Sequence, residues 1–218
     1  MRVKYSHEVV YYFRELFAFL RSLCLMGSPM RYRRFTRLSH TFTAVAITFE
    51  LVISLIMDHP QTNKPMTIDG GLYFRRHEWV GLAALAILAC GWIYRLINWK
   101  RESQGGLFPW VTSPGRLSLV REIRQFLLLR WTKIPEDGAL VGTIHGMGLL
   151  ITSAMVLTGG VLYVALAPQD AVTPLVKNLM GLHSFLSTFM WAYLCGHALM
   201  ALWHQYMGHG SLSRIFKL

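Results

Sequence analysis

Charge is scarce in this chain. Only 15% of its 218 residues are Asp, Glu, Lys or Arg, and the acidic residues number 11 against 22 basic ones. With 53% hydrophobic residues and a mean hydropathy of +0.36, the chain is too charge-poor for an ordinary soluble domain of this length. Cysteine is scarcer still. Cys24, Cys90 and Cys195 are far apart and set in apolar contexts, and no CxxC pair exists to hold zinc or an iron–sulfur cluster or to do thiol redox work. They read as small buried hydrophobes. There is no CxxCH for covalent haem attachment, no internal repeat and no low-complexity tract. The first residues lack the long apolar region and small-residue site of a cleavable signal peptide.

Long hydrophobic runs are abundant. Four windows are long enough to cross about 30 Å of hydrocarbon at about 1.5 Å per helical residue. They run roughly from Leu38 to Met57, His77 to Ile97, Ala139 to Ala167 and Leu179 to His204. Asp58, His59 and Pro60 stop the first; Asn98, Lys100 and Arg101 stop the second. The third and fourth exceed what a span needs and are expected to tilt or protrude. The expected fold is therefore an all-α integral membrane protein, a four-transmembrane-helix bundle.

Lys and Arg orient it, because they are retained on the cytoplasmic side. Eighteen fall in the segment before the first span, between Arg95 and Lys133, or at Arg214 and Lys217; Lys64, Arg75, Arg76 and Lys177 fall in the other two loops. Both termini are thus expected in the cytoplasm. The net charge of +11 then belongs to the flanks of spans, and no nucleic-acid partner is expected.

Residues 1–30 are read as an N-terminal arm and residues 31–218 as the membrane domain. Val9, Val10, Phe13, Leu16, Phe17, Leu20 and Leu23 recur at helical spacing, with Arg14, Glu15, Arg21 and Ser22 mostly opposite. This predicts an amphipathic helix at the cytoplasmic interface, facing lipid phosphates or a cytoplasmic partner. Gly27, Ser28 and Pro29 are expected to break it. In the cytoplasmic loop 98–138, Gly105, Gly106, Pro109, Pro114 and Gly115 predict irregular structure, then an amphipathic helix over Leu117 to Trp131. No catalytic spacing occurs in it.

Histidines stand out within the apolar windows. His183 and His197 are fourteen residues apart on the fourth, within about 40° of four full turns and about 21 Å of rise, so they share a face at two depths. Counted from the outer boundary, His40 lies about 25 Å in and His197 about 27 Å, while His77 stands at that boundary and His183 about 6 Å inside it. His40 and His197 are thus level near one side, and His77 and His183 near the other. Imidazole is an axial ligand of haem iron, and two imidazoles leave no open position for oxygen chemistry. Polar residues inside a membrane tend to be functional, and two depth-matched pairs predict two haem b groups acting as an electron wire.

Other residues admit more than one reading. His145, about six residues inside the third span, suits a rival ligand, a place beside a quinone, or a hydrogen-bonded helix contact. His204 lies about 10 Å beyond His197, too far to match His40. His7, His59 and His209 read as solvated or interfacial. Glu50, a carboxylate in mid-span, suits a protonated group hydrogen-bonded inside the bundle or a step on a proton route. Arg34, Arg37, Arg75 and Arg76 stand at the two haem depths, as propionate partners or as boundary arginines. Gly81, Gly142, Gly146, Gly148, Gly159, Gly160 and Gly196 offer room for close packing or a porphyrin face.

RFTRLSH at Arg34–His40, HEWVGL at His77–Leu82 with Arg95 after it, His145 with Gly159 and Gly160, and GLHSFLSTFMWAYLCGHALMALWHQYMGHGSLSRIF at Gly181–Phe216 carry a resemblance. Over about residues 31 to 217 the chain resembles the superfamily of bacterial cytochrome b561 and the cytochrome b subunits of hydrogenase and formate dehydrogenase. The resemblance implies that His40 with His197, and His77 with His183, are the iron ligands of two haems, the same pairs that depth gives. It also implies electron exchange with quinone. The ALWHQY and SLSRIF ending is closer to the b561 branch; the arm and the long central loop depart from its compact pattern and leave room for a partner.

Three functions follow as expectations. The first is the membrane subunit of a respiratory complex, linking the quinone pool to a periplasmic redox protein or dehydrogenase subunit, in a homo- or hetero-oligomer, with a quinone pocket near His145, His197 and the end of the second span. The second is a stand-alone superoxide:quinone oxidoreductase, with Lys64, Arg75 and Arg76 attracting the anion. The third is a structural anchor whose haems only stabilise the bundle.

Overall fold

A computed structural model describes residues 29–61, 66–98, 106–130, 135, 138–166 and 172–206. The expected arm helix, Cys24, Trp131, Lys133, His7, His209, Arg214 and Lys217 lie outside these residues. Five α-helices occur among them, and no β-strand: α1 (Pro29–Ile53), α2 (Ile68–Ile97), α3 (Ser113–Leu127), α4 (Ala139–Leu166) and α5 (Pro174–Tyr206). The chain divides into two compact units, Met1–Tyr94 with Gly196–Leu218, and Arg95–Cys195.

Among the described residues α2, α4 and α5 are long and apolar enough to cross a membrane. Helix α1 has the length, about 37 Å for its 25 residues. Its first turns, however, carry Arg31, Arg33, Arg34 and Arg37, which lower its apolarity. Large apolar side chains cover the outside of the helices, among them Phe42 at 58%, Phe185 at 60% and Leu199 at 67% exposure. Such a surface suits lipid rather than water.

In the first unit, α1 and α2 are joined by a polar knot. Backbone N–H and hydroxyl of Thr67 both donate to the Asp58 carboxylate, at 2.7 and 2.6 Å. The same hydroxyl accepts from Gly70 N–H at 3.0 Å, which makes Thr67 the N-cap of α2. Asp58 packs so closely on Gly70 that a Cβ there would collide with its carboxylate. This cap explains a difference from expectation: α2 begins at Ile68, nine residues before His77, so His77 lies inside the helix and does not open it. Likewise Pro29 starts α1 where a break was expected, because its fixed φ suits a first helical position. The helices pack through Phe35 and Tyr94, whose ring centroids are 4.3 Å apart.

In the second unit a 3-10 turn (Pro109–Val111) leads into α3. Thr112 caps α3 by accepting from Gly115 N–H at 3.2 Å. Pro114 and Gly115, expected in a loop, form its first turn, since proline lacks only a donor that a first turn leaves unused. Helix α3 therefore starts four residues before Leu117. It ends at Leu127 in a Schellman closure, where Leu129 and Arg130 donate to Phe126 and Gln125 carbonyls at 3.0 and 2.9 Å, and Leu129 takes a φ of 56°. Arg116 ties the turn to the helix by donating to Trp110 O and Ser113 Oγ, at 3.2 and 3.0 Å.

Helix α4 is seated on this region through its glycines. A Cβ at Gly142 would stand 2.6 Å from the Gly106 carbonyl oxygen, and one at Gly146 would collide with that of Leu107. Gly148 lies under the Tyr193 ring in the same way. Its N-terminus is closed by a residue the sequence reading passed over, Glu122 of α3. This buried carboxylate accepts from Ala139 and Leu140 N–H at 3.1 and 2.7 Å. Two of the four amides a helix start leaves unused are thereby satisfied. Helix α5 opens at Pro174, five residues before Leu179, with Thr173 Oγ1 accepting from Val176 N–H at 3.3 Å.

Candidate functional site

Of the two expected pairs, His40 with His197 lies within the first unit and can be read directly. His40 stands on α1 and His197 near the end of α5, with ring centroids 6.2 Å apart and ring planes at 52°. Both are half-buried. An imidazole binds a first-row metal at about 2 Å, and the ring centre lies about 1 Å further back, so two rings on opposite sides of one ion stand roughly 6 Å apart. The observed separation fits an iron between them. Among the described residues no cluster of three or more His, Cys, Asp or Glu could hold a metal ion; the fit here is with two axial imidazoles and a cofactor that brings its own equatorial nitrogens.

One turn before His40, Arg37 adds a second sign. Its Nε and one terminal nitrogen are buried and have no hydrogen-bond partner among the described residues. Guanidinium pairs best with a carboxylate. Arg34, Arg75 and Arg76 are exposed, and Arg76 lies over the Tyr73 ring at 5.8 Å.

His77 belongs to the first unit, and its neighbour there is Glu50. A carboxylate oxygen of Glu50 touches His77 Nδ1. Neither reading of Glu50 made from sequence foresaw this partner, because α1 and α2 meet through their tertiary packing.

His183 and His145 belong to the second unit. His183 Nδ1 is 2.8 Å from Thr158 Oγ1, and that hydroxyl also lies 2.8 Å from Ala154 O and 3.0 Å from Met155 O. A hydroxyl has one proton to give. Carbonyl oxygens only accept, so the Thr158 proton goes to the backbone, and its oxygen accepts from His183 Nδ1–H. His183 Nε2 then carries the lone pair. A Cβ at Gly159 would stand 3.3 Å from His183 Cε1, so this glycine gives the ring its place. His145 Nδ1 lies 2.8 Å from Val141 O and must donate to it, because a carbonyl oxygen only accepts. Of the two other cysteines, Cys90 is buried in α2 and Cys195 is exposed on α5.

His59 is exposed and His204 half-buried. Gly81 and Gly196 have no described atom within 4 Å of the place a Cβ would take.

No curated protein and no solved structure matched the chain in the comparisons made. A family model did, over residues 31–217, which takes in every helix described above except the first two residues of α1. Paired imidazoles on apolar helices, spaced for one iron, are what a haem-bearing membrane protein requires, and the chain belongs to the prokaryotic cytochrome b561 family, membrane b-type cytochromes that bind haem b and transfer electrons.

Proposed function

We propose that this protein is a di-haem b-type cytochrome that carries electrons across the bacterial inner membrane between the quinone pool and a periplasmic redox partner, as the membrane subunit of a respiratory complex. The observation that carries the reading is the 6.2 Å separation of the His40 and His197 rings. Helix α1 is the fourth span beside α2, α4 and α5, and both termini are cytoplasmic, as the Lys and Arg distribution favours. His40 and His197 hold one haem near the cytoplasmic side; His77 and His183 hold the other. Haem b supplies reversible one-electron exchange with no open coordination position.

The side chains orient and neutralise. Thr158 holds the His183 ring with Nε2 presented, and Arg37 balances a propionate near His40. Arg34, Arg75 and Arg76 are the remaining propionate candidates. His145 is the candidate residue beside a quinone. Lipid surrounds the bundle, and a periplasmic redox protein or dehydrogenase subunit docks on it.

The test is His183→Ala with measurement of the haem-to-protein ratio. A fall from two to one is expected; an unchanged ratio of two defeats the ligand assignment. A second reading, a stand-alone superoxide:quinone oxidoreductase, draws on the exposed Arg75 and Arg76, which would attract an anion. Reduction of quinone by superoxide with the purified protein alone would favour it over the subunit role.

A further inference from the structure

One buried acid has no task in the reading above. Glu50 is 8% exposed and lies on the same buried stripe of α1 as Ile47 and Leu51. A carboxylate in an apolar span is costly unless a donor meets it. Here the group it touches is Nδ1 of His77. An imidazole that gives the Nε2 lone pair to iron keeps its proton on Nδ1, so a carboxylate oxygen at that nitrogen is the acceptor. Such a carboxylate fixes the tautomer and the ring orientation and makes the ring a stronger donor to the metal. Stronger donation favours the ferric state, and hydrogen bonding behind an axial ligand is one of the means by which a protein sets a haem potential.

Resting on the di-haem reading, we infer that Glu50 is the positioning residue of His77 and lowers the reduction potential of the haem that His77 holds. The two ligands assigned to that haem then differ in what stands behind them. His77 has a carboxylate, whereas His183 has a neutral hydroxyl already committed to the backbone. His40 stands ten residues before Glu50 on α1, about 15 Å by helix rise, so Glu50 acts most strongly on the haem of His77.

The experiment is a redox titration of the purified full-length protein, with haem content and ferric low-spin electron paramagnetic resonance recorded on the same samples. Glu50→Gln keeps the shape and an acceptor oxygen but removes the charge; Glu50→Leu removes the acceptor as well; Glu50→Asp keeps the charge. The expected result is that Gln and Leu raise the potential of one haem only, Leu more than Gln. The low-field g value of that haem moves with it, and Asp recovers part of the original potential. Potentials and g values unchanged in Glu50→Gln and Glu50→Leu, with both haems retained, would overturn the inference. His77→Ala separates the two levels of argument. Loss of one haem there keeps the ligand assignment whatever Glu50 does, and retention of both defeats the reading on which the inference rests.

Discussion

Two carboxylates are buried in this protein almost equally, Glu50 at 8% and Glu122 at 7% exposure, and they have found opposite kinds of partner. Glu122 accepts from two backbone amides at the start of α4, donors that exist in any helix whatever its sequence. Glu50 meets a single side chain, the imidazole of His77, which is there only because position 77 is histidine. The first contact completes a fold. The second joins an acid to a ring proposed as an iron ligand. The difference teaches that burial of a charge says little about its role until the partner is known: backbone amides point to architecture, and a titratable ring points to function.

The largest effect belongs to the ligands themselves. Replacing His40 or His197 by Ala is expected to remove one haem, and the double variant no more than either single one, if the two share one iron as proposed. Haem-to-protein ratios check this, and a double variant that loses both haems would show that they serve different groups. Next comes Glu122→Ala, which leaves two amides of α4 without their acceptor and is expected to cost about 1 to 3 kcal/mol. Thermal unfolding in detergent and faster amide exchange at Ala139 and Leu140 measure it. Both haem potentials are expected to stay in place, and movement of either would erase the distinction between the two acids. The smallest effect is expected from Thr158→Val, which removes one hydrogen bond worth about 1 kcal/mol behind His183. A redox titration is expected to show the same haem shifting as in Glu50→Gln, by less. A shift in the other haem would place His183 on the wrong iron.

Much of the architecture was legible before any coordinates. The three long apolar helices α2, α4 and α5 follow from periodicity and from the length hydrocarbon demands. Helix starts were less legible. Pro29, Pro114 and Pro174 each sit in a first turn, where proline is a starter, yet in a one-dimensional reading proline is chiefly a breaker. The start of α2 depended on Asp58 reaching Thr67 nine residues away. Glu122 was invisible as a cap because its amides lie 17 and 18 residues further along the chain. His183 carried a readable clue, since Thr158 stands one position before Gly159, but nothing in the order of residues says that one helix presents it to another.

Composition and spacing alone determined that the chain has helices suited to cross a membrane, and that histidines recur along its long helices. Both follow from the fixed rise and twist of a helix and the thickness of lipid. Only the folded arrangement decided which side chain stands behind a ring, with Glu50 at His77 and Thr158 at His183. Such choices depend on how helices are rotated and shifted against one another. Side-chain packing fixes that rotation between partners far apart in the chain, and a helix repeat read along one segment carries no record of it.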